Sequence, residues 1–90
     1  MSRLKQIETF VSVANRGSLT AAATAEGVAP GVVSRRLDAL EARLGVKLLL
    51  RTTRRVTLTH EGSAFLETCQ RLLADLAMAE ASVSAGGVKA

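Results

Sequence analysis

The sequence lacks several features on which whole classes of function depend. It has no Trp or Tyr and only two Phe among its 90 residues, so it offers few rings on which single-stranded nucleic acid could stack. Cys69 is the only cysteine, so no internal disulfide can form. Its helical spacing among apolar residues predicts a buried, inert thiol rather than a nucleophile.

Long apolar runs and catalytic patterns are also missing. No stretch approaches the roughly 20 apolar residues of a membrane span, and MSRLKQIETF lacks the apolar segment of a signal peptide. We therefore expect a cytoplasmic protein. His60 is the only histidine, and no acid–base pair, phosphate loop or metal-ligand cluster accompanies it. The sequence thus predicts that the chain is not an enzyme and that it holds no cofactor or metal.

The residues that dominate instead are aliphatic, and the positive charge is concentrated. Ala, Leu and Val make up most of the 48% hydrophobic content, which favours one small domain of packed helices. The net charge is +4, yet residues 35–58 alone hold +5, from seven basic and two acidic residues. This concentration indicates a folded surface that meets a polyanion, although a merely solvated basic face would give the same count.

The first half of the chain predicts three helices. Ser2 can cap the first, whose apolar stripe is widened by Phe10 and formed by Leu4, Ile7, Val11 and Ala14. Ser18 can cap a short second helix that ends at Gly27, and the third helix follows at residues 30–44. Two helices joined by a tight turn that contains glycine predict a helix-turn-helix.

Three positions have a distinct packing role in that motif. Ala23 lets the helices cross closely, and Gly27 can adopt the left-handed conformation of the turn. Val33 fills the angle between the helices. It belongs to an apolar stripe that runs through Val33, Leu37, Leu40 and Leu44. The opposite, small and polar face suits insertion into a DNA major groove.

The segment after Gly45 predicts a two-stranded hairpin, or wing. VKLLLR and VTLT suit strands, and Leu48 or Leu49 should anchor the hairpin to the helices. Its connection carries Arg54 and Arg55, which could enter a narrow, electronegative minor groove. An ordinary polar turn is the alternative interpretation.

The last helix is predicted from His60 to Ser84, roughly 37 Å at 1.5 Å per residue, with Thr59 as its cap. Leu66 and Leu73 flank a heptad seam formed by Phe65, Cys69, Leu72, Leu76, Ala79 and Val83. A helix of this length projects beyond so small a core, so we predict that these eight residues form a homodimer interface. A helix folded back over its own domain is the alternative.

Taken together, these segments resemble the DNA-binding region of LysR-type transcriptional regulators. The resemblance runs from about Leu4 through the last helix. It rests on F-x-x-V-A at 10–14, G-S-L-T-A-A-A at 17–23, V-V-S-R at 32–35, L-E-x-x-L-G-V at 40–46 and L-T-x-E-G at 58–62. It implies a mainly α winged helix-turn-helix, a dimerising linker helix, and promoter binding in the bacterial nucleoid.

The same resemblance divides the chain into a DNA-binding domain at 1–58, a linker and dimerisation helix at 59–84, and a flexible tail or start of a hinge at 85–90. Such regulators normally continue into an effector-binding domain. A small-molecule effector would bind there, and the full-length protein could form a tetramer. We therefore expect this chain to be a DNA-binding fragment.

The sequence departs from the family pattern where the recognition helix begins. Ala29 and Pro30 stand where the family usually has a serine and a glutamine that contact DNA, and Pro30 has no side-chain donor. Leu49 and Leu50 replace a usual phenylalanine and a frequent glutamate, which should alter wing packing. Base readout is therefore predicted for the stretch formed by Pro30, Gly31, Val32, Ser34 and Arg35, with the first two allowing close backbone approach.

Phosphate contacts are predicted for a second set of residues, which would position the domain without reading sequence. These are Ser18, Thr20, Arg36, Arg51 and Thr52. A protein-interaction module on the same scaffold, without DNA binding, is the alternative function, since the usual serine and glutamine are missing. Steep salt dependence of duplex binding would separate the two.

Overall fold

The computed structural model describes residues 2–52 and 55–84. Three helices, α1 (Arg3–Arg16), α2 (Leu19–Glu26) and α3 (Pro30–Leu44), precede a hairpin of β1 (Leu49–Arg51) and β2 (Val56–Leu58). A long helix, α4 (His60–Val83), follows. This order confirms the predicted mainly α winged helix-turn-helix.

The helix-turn-helix has the predicted packing. Ala23 and Val33 are buried where α2 and α3 meet, and Gly27 ends α2 in the left-handed region at φ +70°. The predicted caps are also present, because the hydroxyls of Ser2 and Ser18 accept hydrogen bonds from the N–H groups of Lys5 and Ala21. These local signals are sufficient to place α2 and α3.

The buried face of α1 differs from the predicted stripe. Its buried residues are Gln6, Thr9, Phe10 and Val13, whereas Leu4 is 39% exposed. Gln6 and Thr9 can be buried because each is hydrogen-bonded: Gln6 Oε1 accepts from Arg43 Nη2 at 2.9 Å, and Thr9 Oγ1 donates to Glu26 Oε1 at 3.1 Å. The apolar spacing alone therefore gave the wrong centre for this face.

The hairpin is antiparallel and anchored at its base. Leu49 pairs with Leu58 and Arg51 with Val56. Leu48 and Leu49 are buried in the core, as predicted. The Val56 N–H donates to the Gly17 carbonyl at 3.3 Å, so the hairpin also lies against the turn between α1 and α2. The wing is thus held beside the start of α2.

The two halves of α4 have different surroundings. Phe65, Leu66 and Cys69 pack on the core, and the rings of Phe10 and Phe65 lie 5.5 Å apart. Burial raises the pKa of the Cys69 thiol, which agrees with the predicted inert role. Further along, Leu72 is 49% and Val83 is 72% exposed. No helix in the described ranges is both long and apolar enough to cross a membrane.

Candidate nucleic-acid interface

The first turn of α3 is open to solvent and lacks a side-chain cap. Ala29 occupies the N-cap position in an extended conformation and makes no side-chain hydrogen bond. Pro30 and Gly31 are exposed. A Cβ added at Gly31 would meet only Arg35 Nη1, at 3.5 Å, so the Arg35 side chain lies beside Gly31. The positive end of the helix dipole and a guanidinium therefore share one exposed surface.

Arg35 and Arg55 are the side chains best placed to meet a ligand. Both are exposed. Neither guanidinium makes a hydrogen bond or ion pair with another residue within 2–52 or 55–84. Val32, one turn before Arg36, is half-buried. Arg54, the other predicted wing arginine, lies outside the described residues.

Arg36, a predicted phosphate contact, does not face outward. Its Nη1 donates to Glu26 Oε1 at 2.8 Å and to Thr9 Oγ1 at 3.3 Å. The side chain is only 16% exposed. Arg36 is drawn inward because Glu26 on α2 needs a cation to compensate for its partial burial. It joins α1, α2 and α3.

Arg51, another predicted phosphate contact, is likewise engaged within the chain. Its Nη2 donates to Asp38 Oδ1 at 2.9 Å, and its Nη1 donates to Ser34 Oγ at 3.2 Å. The Arg51 side chain is 20% exposed. Ser34, a predicted base reader, is half-buried by this contact. The guanidinium is thus held between β1 and the exposed face of α3.

The remaining predicted phosphate contacts lie at the start of α2 and in the hairpin. Thr20 is exposed. The Ser18 hydroxyl already accepts from the Ala21 N–H. In the hairpin, Thr52 Oγ1 donates to the Arg55 carbonyl and accepts from the Arg55 N–H, both at 3.1 Å. These contacts fix the Arg55 backbone opposite Thr52.

Glu41 is a positioning residue that the sequence reasoning missed. Its buried Oε2 accepts from the N–H groups of Leu48 and Leu49, at 2.8 and 3.1 Å. Its Oε1 lies 3.5 Å from both Lys47 Nζ and Arg51 Nη2. The only signal was its place in the segment L-E-x-x-L-G-V at 40–46. Glu41 therefore holds the loop from α3 to the wing.

The predicted dimer seam is divided by the fold. Cys69 is 2% exposed, so it belongs to the core of its own domain and not to an interface. Phe65 and Leu66 also pack partly on that core. The other predicted seam residues lie farther along α4, half-buried or exposed, and are Leu72, Leu73, Leu76, Ala79 and Val83. Only this far part remains available to a second chain.

Metal-binding chemistry has no counterpart in the part of the chain that the structure describes. Within residues 2–52 and 55–84, no group of three or more His, Cys, Asp or Glu side chains could hold a metal ion.

Comparison with known proteins identifies the family of this chain. The sequence profile of bacterial regulatory helix-turn-helix proteins of the lysR family matches residues 4–63. A transcriptional repressor of Pseudomonas aeruginosa is 46% identical over 86 residues, which cover 96% of this chain and 27% of that protein. The regulator DmlR of Escherichia coli is 47% identical over 73 residues, which cover 81% of this chain and 24% of that protein.

Two solved structures have the same fold. The DNA-binding domain of BenM, crystallised with catB site 1 DNA, superposes with a TM-score of 0.85 at 32% identity and covers 89% of this chain and 90% of that one. The DNA-binding domain of CbnR, also crystallised with DNA, gives 0.84 at 38% identity and covers 88% and 91%. The chain spans about a quarter of the length of the curated relatives it matches.

Proposed function

Because the chain belongs to the LysR family of bacterial regulatory helix-turn-helix proteins, we propose that it inserts α3 into the major groove of an operator and its wing into the adjacent minor groove. It is the DNA-binding domain of a transcriptional regulator and not an enzyme. The complexes of BenM and CbnR are DNA complexes, and this chain shares their fold.

The observation that most supports this docking is the exposed guanidinium of Arg35 beside the open first turn of α3. Arginine donates in a fork that matches the O6 and N7 acceptors of guanine in the major groove. The small Gly31 leaves room for the backbone to approach the bases, and the half-buried Val32 suits a thymine methyl group. We therefore assign base readout chiefly to Arg35.

The supporting contacts divide between phosphates and the minor groove. Thr20, at the start of α2, is exposed and suits a phosphate contact. Arg55 follows the hairpin turn and is exposed, which suits a narrow minor groove. Arg36 and Arg51 are omitted from the proposed phosphate contacts, since their guanidinium groups are paired inside the domain.

Substitution of Arg35 tests the docking. Arg35→Ala should weaken binding of a selected duplex by about 1–3 kcal/mol and relax the base preference at one position. Arg71→Ala is the matched control, because it removes the same charge at an exposed site on α4. Fluorescence anisotropy with duplexes selected from a random pool gives both readouts. If Arg35→Ala weakens binding equally for all sequences, Arg35 contacts a phosphate and not a base. If the control variant weakens binding as much as Arg35→Ala does, the proposed docking is wrong.

The far part of α4 supports the second element of the proposal, a homodimer. Leu72 is 49% exposed, and it lies on one face with Leu76 and Val83 at spacings that match a coiled-coil seam. Water-exposed leucines on a regular seam are stabilised by a second copy of the same seam. A dimer would present two α3 helices to a pseudo-palindromic site.

Paired charge insertions test the dimer. Leu72→Asp with Leu76→Asp should convert a dimer to a monomer in sedimentation velocity. Ala74→Asp with Met78→Asp places the same two charges on the opposite, exposed face of α4 and should leave the dimer intact. Dimers that persist in the first variant, or dissociate equally in both, would contradict this interface.

A further inference from the structure

We propose that Asp38 and Arg51 form a positioning pair that sets the wing against α3 and thereby determines sequence selectivity. The inference rests on the proposed docking of α3 and the wing on DNA. In this role Arg51 orients the wing and does not attract a phosphate. Asp38, an acidic residue on the helix that meets the DNA, then serves to hold Arg51.

The pair is a bridge between two elements that contact DNA. Arg51 is the last residue of β1, and Asp38 and Ser34 are one turn apart on α3. A single guanidinium reaches both, at 2.9 Å from Asp38 Oδ1 and 3.2 Å from Ser34 Oγ. Its planar fork fixes direction as well as distance. This group therefore constrains the orientation of the far end of β1 relative to α3.

Asp38 is unusual for its location. Its side chain is 62% exposed, and it lies in the basic segment, on the helix that faces the phosphate backbone. An exposed carboxylate there repels DNA, so its effect on total charge opposes binding. Its contact with Arg51 supplies a reason for its presence, because without Asp38 the guanidinium keeps only the Ser34 hydrogen bond and a 3.5 Å contact with Glu41 on α3.

The same contact affects which hydrogen bonds the Ser34 hydroxyl can still make. Its oxygen accepts from Arg51 Nη1, so one lone pair is occupied and the hydroxyl proton is left to donate. The hydroxyl proton can then be donated to the acceptor groups of the major groove, which are N7 and O6 of guanine, N7 of adenine and O4 of thymine. Arg51 thus acts on base readout through Ser34.

The bridge also determines where the wing arginine lies. Thr52 follows Arg51 directly and is hydrogen-bonded through its N–H and hydroxyl to the Arg55 backbone. Glu41 holds the other end of β1 through Leu48 and Leu49. With both ends fixed on α3, Arg55 enters the minor groove at a set distance from Arg35.

Substitution of Asp38 separates positioning from charge. We expect Asp38→Asn to reduce the ratio of specific to random-duplex affinity about 10-fold at constant salt. A charge effect alone leaves this ratio unchanged, because loss of an anion strengthens binding to all duplexes. Glu67→Gln is the matched control: it exchanges a carboxylate for an amide at an exposed site on α4 and should leave the ratio unchanged.

Substitution of Arg51 tests the same idea through salt dependence. Loss of one phosphate contact lowers the slope of log affinity against log salt by about 0.9. Arg51→Lys keeps the charge but not the fork, so we expect the selectivity loss of Asp38→Asn with an unchanged slope. Arg51→Met should repeat that loss, again with a slope change well below 0.9. Thermal unfolding followed by circular dichroism checks that each variant is folded at the assay temperature.

The outcomes separate this inference from the proposed function. If the unaltered domain binds duplexes without selectivity or salt dependence, the proposed docking fails, and the inference fails with it. If the unaltered domain is selective but Asp38→Asn retains or increases its selectivity, the positioning pair alone is wrong. The positioning pair would also be wrong if Arg51→Met lowered the salt slope by the full value of about 0.9 while Arg51→Lys kept the normal ratio of specific to random-duplex affinity. Arg51 would then be a phosphate contact.

Discussion

The helices α3 and α4 each have a glycine in their first turn, and the two glycines lie in opposite surroundings. Gly31 is exposed after an N-cap residue, Ala29, that makes no side-chain hydrogen bond. Gly62 is buried after Thr59, whose hydroxyl accepts from the Gly62 N–H and donates to the Lys47 carbonyl. One helix start is closed by the fold, and the other is left open to an external ligand.

This difference shows that one local signal can serve stability or binding. The backbone N–H groups at the start of a helix need acceptors. In α4 the Gly62 N–H has its acceptor inside the domain, the Thr59 hydroxyl. In α3 the fold leaves the end without a side-chain acceptor, so DNA phosphates or bases can take that place. Substitutions at the two starts should therefore differ in size and in sign.

The largest effect is expected at the closed start. A Cβ at Gly62 would overlap the carbonyl oxygen of Leu48. Leu48 is buried just before β1, so its backbone can move away only at a large cost in free energy. Gly62→Ala should lower the free energy of unfolding by about 3 kcal/mol, although alanine is the better helix former. Urea unfolding followed by circular dichroism measures it. An unchanged stability would show that the Leu48 carbonyl moves freely.

Removal of the cap should have the next largest effect. Thr59→Val keeps the shape but loses both hydroxyl hydrogen bonds, so we expect a loss of about 1–2 kcal/mol. Thr57→Val makes the same exchange at an exposed position of β2 and should change stability by less than about 0.5 kcal/mol. Equal effects in the two variants would mean that the cap does not close α4.

Closing the open start should stabilise the domain. Ala29 has φ −72° and ψ 149°, the extended conformation of a capping residue. Ala29→Ser should therefore raise the free energy of unfolding by about 1 kcal/mol. Ala25→Ser is the control, since it places the same hydroxyl inside α2, where it should destabilise slightly. A loss of stability in Ala29→Ser would show that the start of α3 rejects a cap.

The smallest effect is expected at Gly31. Its added Cβ meets only the flexible end of Arg35, so Gly31→Ala should gain less than about 1 kcal/mol of stability. The same methyl group should weaken DNA binding, because it keeps the backbone from the bases. Unfolding curves and anisotropy on one preparation measure both. Loss of stability, or stronger DNA binding, would remove the contrast with Gly62.

Local features of the fold were predictable from sequence. The caps at Ser2, Ser18 and Thr59 depend on residues within one turn, and all three are confirmed. The bounds of α3 follow from Pro30 and Gly45 in the same way. The family resemblance is confirmed as well.

Side-chain direction was less predictable. Arg35 and Arg36 are adjacent and chemically identical, yet among residues 2–52 and 55–84 only Arg36 pairs with a carboxylate, on α2. That partner is set by how α2 crosses α3, which no local pattern specifies. The burial of Gln6 in α1 depends in the same way on Arg43. The number of basic residues in 35–58 therefore overstates the number of cationic groups that are available to a ligand.

The inward pairing of Arg36 and Arg51 also bears on how the domain searches a genome. Attraction to random DNA grows with the number of phosphates that free cations neutralise. With those two guanidinium groups occupied, fewer cations around α3 are available to non-target DNA than the seven basic residues of 35–58 suggest. We therefore expect the domain to dissociate from non-target DNA faster than it would if all seven basic residues of 35–58 were unpaired.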